Sequence, residues 1–189
     1  MRSEWRQATF GEFLTLQRGH DLPDQDRVPG SVPILGSFGI TGWHNTVKAK
    51  APGMTIGRSG GSFGVATYSN EDYFPLNTTL YVTDFMGNYP KYSYYFARNF
   101  DFTPYNSGSA QPSLNRNFLY PIEILIPPFE EQKSIAHILG TLDDKIEVNR
   151  KTNETLEGIA KALFRTWFVD FDPVRAKAEG RPTGLPDEI

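Results

Sequence analysis

The sequence predicts an α+β protein in which a mixed, β-rich globular domain is followed by one long, coiled-coil-forming α-helix. Up to Ile126, short apolar stretches are separated by Gly, Pro, Asn and Ser, as in a domain built of short strands. After Pro128 the apolar residues change to helical spacing and keep it for about 40 residues. We therefore divide the chain into a globular domain (1–127), a long helix (128–170) and a short helix with a linker tail (171–189).

Five apolar stretches of the globular domain are predicted to be strands or to contain them. They are Val32–Leu35, Met54–Ile56, Val65–Tyr68, Leu80–Phe85 and Leu119–Ile126. Nine of the seventeen glycines lie between Gly30 and Gly64, which predicts several tight turns in that region. A helix is predicted to begin at Pro90, because proline suits the first helical turn and aromatic residues follow at helical spacing.

The long helix carries an apolar stripe that requires a partner. The stripe consists of Ile135, Leu142, Asn149, Leu156 and Leu163, repeated every seven residues, with Ile138 and Ile159 at a second heptad position. A helix of this length spans about 60 Å at 1.5 Å per residue, which exceeds the size of the globular domain. We therefore expect pairing with a second helix, the alternative being a helix that folds back on its own domain. Asn149 is expected to set the register of that pairing more than its stability.

A second, short helix is predicted behind the long one. Asp172 and Pro173 can cap its start, and it is expected to end near Gly180. The residues after Gly180 are rich in Pro and Gly, which is typical of a linker.

Composition limits the possible classes of function. No apolar run approaches the length of about 18 residues that a membrane span needs, and the first residues lack the apolar core of a signal peptide. The absence of cysteine excludes disulfides, thiolate zinc sites and a cysteine nucleophile. We expect a cytoplasmic protein that has no membrane partner.

Acidic residues are absent from two stretches, although the net charge of the chain is −3. The stretches are 27–70 and 102–122, and their basic residues are Arg27, Lys48, Lys50, Arg58 and Arg116. A local positive potential can therefore exist on a chain that is acidic as a whole, which keeps nucleic acid among the possible ligands. Chance gaps in the distribution of acidic residues are the alternative.

No catalytic or metal site is visible in the sequence. Gly60–Gly64 matches the G-x-S-x-G pattern of a nucleophile elbow, but β-like sequence follows it where the elbow needs a helix. A tight turn between two strands is the favoured interpretation. The three histidines have no metal-ligand spacing, and no paired carboxylates stand out.

Several segments together resemble the specificity subunits of type I restriction-modification systems. They are Gly57-Arg58-Ser59-Gly60, PLNTTLYV, GSAQPSLNRNFL, IPPFEEQ, LDDKIEVNRKTNETLE and LFRTWFVDFDPVRAKAEG, and they span about Ile34 to Gly180. The resemblance implies a non-catalytic subunit without a cofactor of its own. Its target recognition domain would read one half of a bipartite site in double-stranded DNA, and its helix would form a coiled-coil spacer.

The resemblance also implies partners. Methyltransferase subunits, which use S-adenosylmethionine, and a restriction subunit would bind the specificity subunit. The chain has one recognition domain and one long helix where the family has two of each. It is therefore either a natural half-subunit or an N-terminal fragment, and it would form a homodimer or pair with a second repeat through the long helix.

Two other functions remain as alternatives. One is a catalytic DNA methyltransferase or nuclease domain. The sequence lacks an Asn-Pro-Pro-Tyr-like tetrapeptide and a cofactor glycine motif, which argues against it. The other is a protein-interaction scaffold without DNA readout. The glycine-rich stretch that lacks acidic residues argues against this function.

The residues expected to contact DNA fall into two regions. In the first, Lys48, Lys50 and Arg58 are expected near phosphates, whereas His44, Asn45 and Arg58 are the candidates for base readout. In the second, the candidates are Gln111, Asn115 and Arg116. Because the resemblance marks this second region as shared by domains that read different targets, we expect Gln111 and Arg116 to hold phosphates or the loop itself.

Overall fold

The computed structural model describes residues 4–184, so the first three residues and the end of the predicted linker tail (185–189) lie outside the described residues. The chain forms two compact units, of which one extends to Leu139 and the other begins at Gly140. The first unit thus includes the start of the long helix, whereas the sequence predicts a boundary after residue 127.

The described residues form nine strands and five α-helices. The strands are β1 (Arg6–Thr9), β2 (Thr15–Arg18), β3 (Val32–Gly36), β4 (Gly39–His44), β5 (Gly53–Gly57), β6 (Ala66–Ser69), β7 (Phe74–Pro75), β8 (Thr79–Asp84) and β9 (Glu123–Ile126). The helices are α1 (Phe10–Phe13), α2 (Pro90–Asn99), α3 (Arg116–Leu119), α4 (Phe129–Phe164) and α5 (Asp172–Ala178). The predicted fold class is confirmed: a β-rich unit precedes one long helix.

The predicted elements agree with the structure except at short or polar segments. The predicted stretch 119–126 contains the strand β9, but its first residue is the last residue of the helix α3. This helix starts after Asn115, which caps it by accepting a hydrogen bond from the Asn117 amide. Four strands of the described chain lie outside the predicted stretches. The strands β1 and β2 have only four residues each and a largely polar sequence, β4 contains two glycines, and β7 has only two residues. In α5 the cap residue is Phe171, in a left-handed conformation, and Asp172 is the first helical residue.

The strands form three small sheets. One is antiparallel with the order β2-β8-β5-β6, and a second has the order β4-β3-β7, in which β3 and β7 are parallel. The third pairs β1 with β9 in antiparallel register. The strand that precedes the long helix is therefore held by the N-terminal strand of the same unit.

An aromatic core holds the first unit together. Phe10, Phe13, Phe96, Phe100 and Phe102 form a connected cluster, in which the centroids of neighbouring rings are 4.9–6.5 Å apart and the geometry is edge-to-face or tilted. Such aromatic pairs contribute about 0.5–1.5 kcal/mol each beyond the burial of their apolar area.

The first turns of α4 belong to this core. Ala136 is buried in the hydrophobic core of the first unit, and Ile135 and Leu139 pack against that core. Ile135, which the sequence assigns to a seam with a partner helix, is thus partly covered by its own domain. Helical periodicity does not distinguish a stripe that faces the chain's own domain from one that faces a partner.

The remaining stripe of α4 is exposed in this chain. The members with more than half of their surface accessible are Ile138, Leu142, Leu156, Ile159 and Leu163, together with Ile146. Asn149 is also exposed. A π-helical turn (Arg165–Val169) follows α4. Within residues 4–184, no helix combines the length and the apolar character that crossing a membrane would require.

Candidate nucleic-acid interface

The G-x-S-x-G segment is a tight turn between two strands, as the sequence predicts. Ser62 is buried, and its hydroxyl donates to the Ser59 carbonyl over 3.2 Å, so it is not placed as a nucleophile. A Cβ atom at Gly57 would lie only 2.0 Å from the Ser62 carbonyl oxygen, which explains why glycine is needed there. Among the described residues, no cluster of three or more His, Asp or Glu side chains could hold a metal ion.

The two stretches that lack acidic residues meet in space. Ser59 pairs with Ser113 in an antiparallel bridge, and the Leu114 amide donates to the Arg58 carbonyl over 2.7 Å. The Gly60 amide donates to the Pro112 carbonyl over 3.3 Å. The glycine-rich turn and the loop before α3 therefore form one continuous surface.

The side chain of Asn106 gives the second loop its shape. Its Oδ1 atom accepts hydrogen bonds from the amides of Gly108 and Ser113, both over 2.9 Å. The Ser107 hydroxyl donates to the Ser113 carbonyl over 2.8 Å. These bonds fold the segment back on itself, so that Gln111 lies next to Gly60.

A polar cleft of about 510 Å³ lies beside this surface. It is lined by Gln17, Arg18, Gly19, Arg58, Leu80, Leu114, Asn115, Arg116 and Asn117. Three of these described lining residues are arginines and none is acidic. The cleft therefore combines positive charge with amide groups, the chemistry that phosphates and base edges accept.

The three arginines differ in how their charge is compensated. Arg18 forms an ion pair with Asp21 over 3.3 Å. Arg116 donates from Nη1 to the Leu16 carbonyl over 2.8 Å, a contact that ties α3 to β2. The guanidinium of Arg58 has neither an ion pair nor a hydrogen bond within residues 4–184, so its charge remains available.

The two lysines that the sequence predicts near phosphates also differ in whether an acidic residue compensates their charge. Nζ of Lys50 lies 2.7 Å from Oδ2 of Asp72, whose other oxygen accepts from the Ala51 amide over 2.9 Å. The hydrogen bond from Lys50 is the main cause that holds the pKa of Asp72 below its usual value. Lys48 is exposed and makes no such pair within the described part of the chain.

His44 does not occupy the position that the sequence predicts. It is buried at the end of β4, where Nδ1 accepts a hydrogen bond from the Val28 amide over 3.1 Å and the ring packs edge-on against Phe74. Because this side chain is buried, we remove His44 from the candidates for base readout. Asn45, the next residue, is exposed.

The remaining predicted residues are exposed at the joined surface. Gln111 lies in neither a helix nor a strand. Asn115 caps α3, because its Oδ1 atom accepts a hydrogen bond from the Asn117 amide over 3.0 Å. The sequence predictions omit Arg18, because nothing in the sequence connects β2 with the two stretches that lack acidic residues. They include β3 but contain no strand at β4, the second strand of the hairpin that β3 begins.

Comparisons with known proteins show the family to which the chain belongs. Residues 2–158 match the family model described as type I restriction modification DNA specificity domain. The chain is 49% identical over 74 residues to the type I restriction enzyme HindI specificity subunit of Haemophilus influenzae, a match that covers 39% of the chain and 16% of the relative. It is 40% identical over 89 residues to the MjaIX specificity subunit of Methanocaldococcus jannaschii, covering 45% of the chain and 21% of the relative.

A solved structure has the same fold. The type I restriction-modification S subunit from M. genitalium superposes with a TM-score of 0.71 at 16% identity, covering 94% of this chain and 49% of that one. The matched part of each relative is thus about half of its length or less. Because the family model matches most of the sequence, this chain belongs to the family of type I restriction-modification DNA specificity domains.

Proposed function

We propose that this chain is a non-catalytic DNA-recognition module of a type I restriction-modification enzyme and reads one half of a bipartite target. One observation carries the proposal: the glycine-rich turn and the loop before α3 join beside an arginine-lined cleft that has no acidic lining residue. Membership of the specificity-domain family supports it and offers no support for the catalytic alternative.

Each part of the surface has a distinct task in this proposal. Arg58 binds a backbone phosphate, because its charge is uncompensated in the described chain. The turn at Gly60 and Gly61 lets the backbone approach the DNA closely, since neither residue carries a side chain of its own. Gln111 and Asn45 can present donor and acceptor groups to base edges. Arg116 holds α3 in place through Leu16.

The long helix supplies the second part of the proposal. Its exposed stripe pairs with another helix, either in a second copy of this chain or in a second repeat, and the paired module binds methyltransferase and restriction subunits. The side chains proposed for this seam are the exposed members of the stripe. They are Leu142, Asn149, Leu156 and Leu163 of the seven-residue repeat, with Ile138 and Ile159 at the second heptad position.

The test compares two basic residues that differ in their surroundings. Binding of the chain to duplex DNA is measured at several salt concentrations for the wild type, Arg58→Ala and Lys50→Ala. We expect Arg58→Ala to weaken binding to all duplexes and to reduce the slope of log K against log salt by about 0.9, the release expected for one phosphate contact.

Lys50→Ala is the matched control. Because Asp72 already compensates the charge of Lys50, we expect the salt slope of this variant to stay at the wild-type value. Equal slopes for the wild type and Arg58→Ala would place the phosphate contacts on another face. A wild-type chain that does not retard any duplex would refute DNA recognition by this module.

A further inference from the structure

The hairpin of β3 and β4 exposes large apolar side chains next to the proposed DNA surface. Phe38 at its turn is 74% exposed, Ile40 is 58% exposed and Trp43 is 50% exposed. Side chains of this kind are usually covered when they are grouped, because water contact with apolar area is unfavourable. The hairpin lies inside the stretch 27–70, which has no acidic residue.

The turn holds Phe38 in an outward position. Gly36 pairs with Gly39, so that Ser37 and Phe38 form the tip, and Gly39 has a φ of +103° that a side chain would rarely adopt. Hydrogen bonds brace the strands behind the tip. Thr41 donates through its hydroxyl to the Ile34 carbonyl, and its own carbonyl accepts from Arg27 over 3.3 Å.

The exposed ring is continuous with the glycine-rich turn. A Cβ atom at Gly61 would lie 3.8 Å from Cζ of Phe38, which puts the ring in the immediate neighbourhood of that residue. The same turn adjoins Arg58 and Gln111. The apolar tip therefore belongs to the surface that the proposed function brings to DNA.

We propose that Phe38 and Ile40 contact the C5-methyl groups of thymine in the major groove, which makes them specificity-determining residues. The inference rests on the proposed DNA recognition and extends it. The major groove admits a two-stranded β-ribbon, and the thymine methyl is the apolar group that its base edges present. An apolar tip cannot satisfy the donors and acceptors of the other bases, so its contact favours thymine.

The experiment removes only the methyl groups. Duplexes that bind the wild-type chain are enriched from a random-sequence pool, and the enriched pool is amplified once with thymidine triphosphate and once with deoxyuridine triphosphate. The two products share every sequence and differ in the C5-methyl groups alone. We expect the wild type to bind the uracil pool more weakly, by about fourfold for each methyl contacted.

Two variants show which side chains cause the difference in binding between the thymine and uracil pools. Phe38→Ala combined with Ile40→Ala should bind the thymine pool more weakly and should bind both pools equally. Leu125→Ala on β9 removes a side chain that is 56% exposed, close to the value for Ile40, and should keep the wild-type ratio between the pools. Because the replaced side chains are exposed, unchanged thermal unfolding is expected for all three proteins.

The outcomes separate this inference from the function on which it rests. Failure to enrich any duplex overturns DNA recognition and the thymine contact together. Enrichment with equal wild-type binding to the two pools overturns the thymine contact alone, as does a double variant that keeps the wild-type ratio. Equal binding of the wild type to the two pools is the result expected if Phe38 instead inserted between stacked bases, since such a wedge does not depend on the methyl group.

Discussion

Asp72 shows that the absence of acidic residues from a stretch of sequence does not mean their absence from its surroundings. The carboxylate follows the stretch 27–70 by two positions, yet it bonds to Lys50 inside that stretch. Lys48 and Arg58 have no such partner within the described residues. Lys50 and Arg58 thus look alike in the sequence, and only the structure shows that an acidic residue compensates the charge of Lys50.

The pair of Lys50 and Asp72 leads to a prediction about pH. The pKa of Asp72 lies below its ordinary value of 3.8 in the folded chain, mainly because Lys50 donates to it. The stability from the ionised carboxylate is therefore complete above 3.8 and is lost as pH falls through the lowered pKa. We expect Asp72→Asn to lower Tm at neutral pH and the difference from wild type to shrink below that value.

Thermal unfolding followed by circular dichroism between neutral and acidic pH checks this expectation. Asp144→Asn is the control, because this exposed carboxylate of α4 has no hydrogen bond within residues 4–184. A Tm difference for Asp72→Asn that stays constant into strong acid would show that the ionised form of Asp72 does not stabilise the fold.

At the scale of elements, one buried glutamine joins the long helix to the globular unit. Gln132 of α4 donates from Nε2 to Oδ1 of Asn88 and to the Pro127 carbonyl, both over 2.9 Å. Its Oε1 accepts from the Tyr89 amide over 2.8 Å. All the polar groups of this side chain therefore have partners in a buried setting, which holds the start of α4 against the end of β8 and the start of α2.

Gln132→Ala should lower the free energy of unfolding by about 2–4 kcal/mol, because it leaves a buried amide and a buried carbonyl without partners. Urea unfolding of the purified chain measures this. Lys133→Ala is the neighbouring control: that lysine forms an ion pair with Glu130 on an exposed surface, which is worth less than 1 kcal/mol. Similar losses for the two variants would contradict a special role for Gln132.

At the scale of the whole molecule, the exposed stripe of α4 predicts association. Leu156→Asp places a charge without a partner in the proposed seam, and we expect it to abolish pairing of two chains. Thr155→Asp introduces the same residue one position away, outside the seam, and should leave pairing intact. Sedimentation at micromolar concentration distinguishes dimers from monomers, and a monomeric wild type would exclude self-pairing.

Local patterns in the sequence predicted the elements that local physics controls. Pro90 begins α2 as expected, the alternation after Leu119 ends in a strand, and the apolar spacing after Pro128 forms a helix of 36 residues. Each of these depends on neighbours a few positions away. Spacing alone does not show that Ile135, which is assigned to the seam, packs in part against the chain's own core.

The sequence by itself determined the fold class, the long helix, the tight turn at Gly60–Ser62 and the likeness to specificity subunits, because these follow from periodicity, turn chemistry and motifs that lie along the chain. Only the tertiary structure decided which residues share a surface. It joined Arg58 to Leu114, buried His44 at the end of β4, and left Phe38 exposed beside Gly61. The physical reason is that charge compensation and burial depend on distances between residues far apart in the chain, which chain order does not specify.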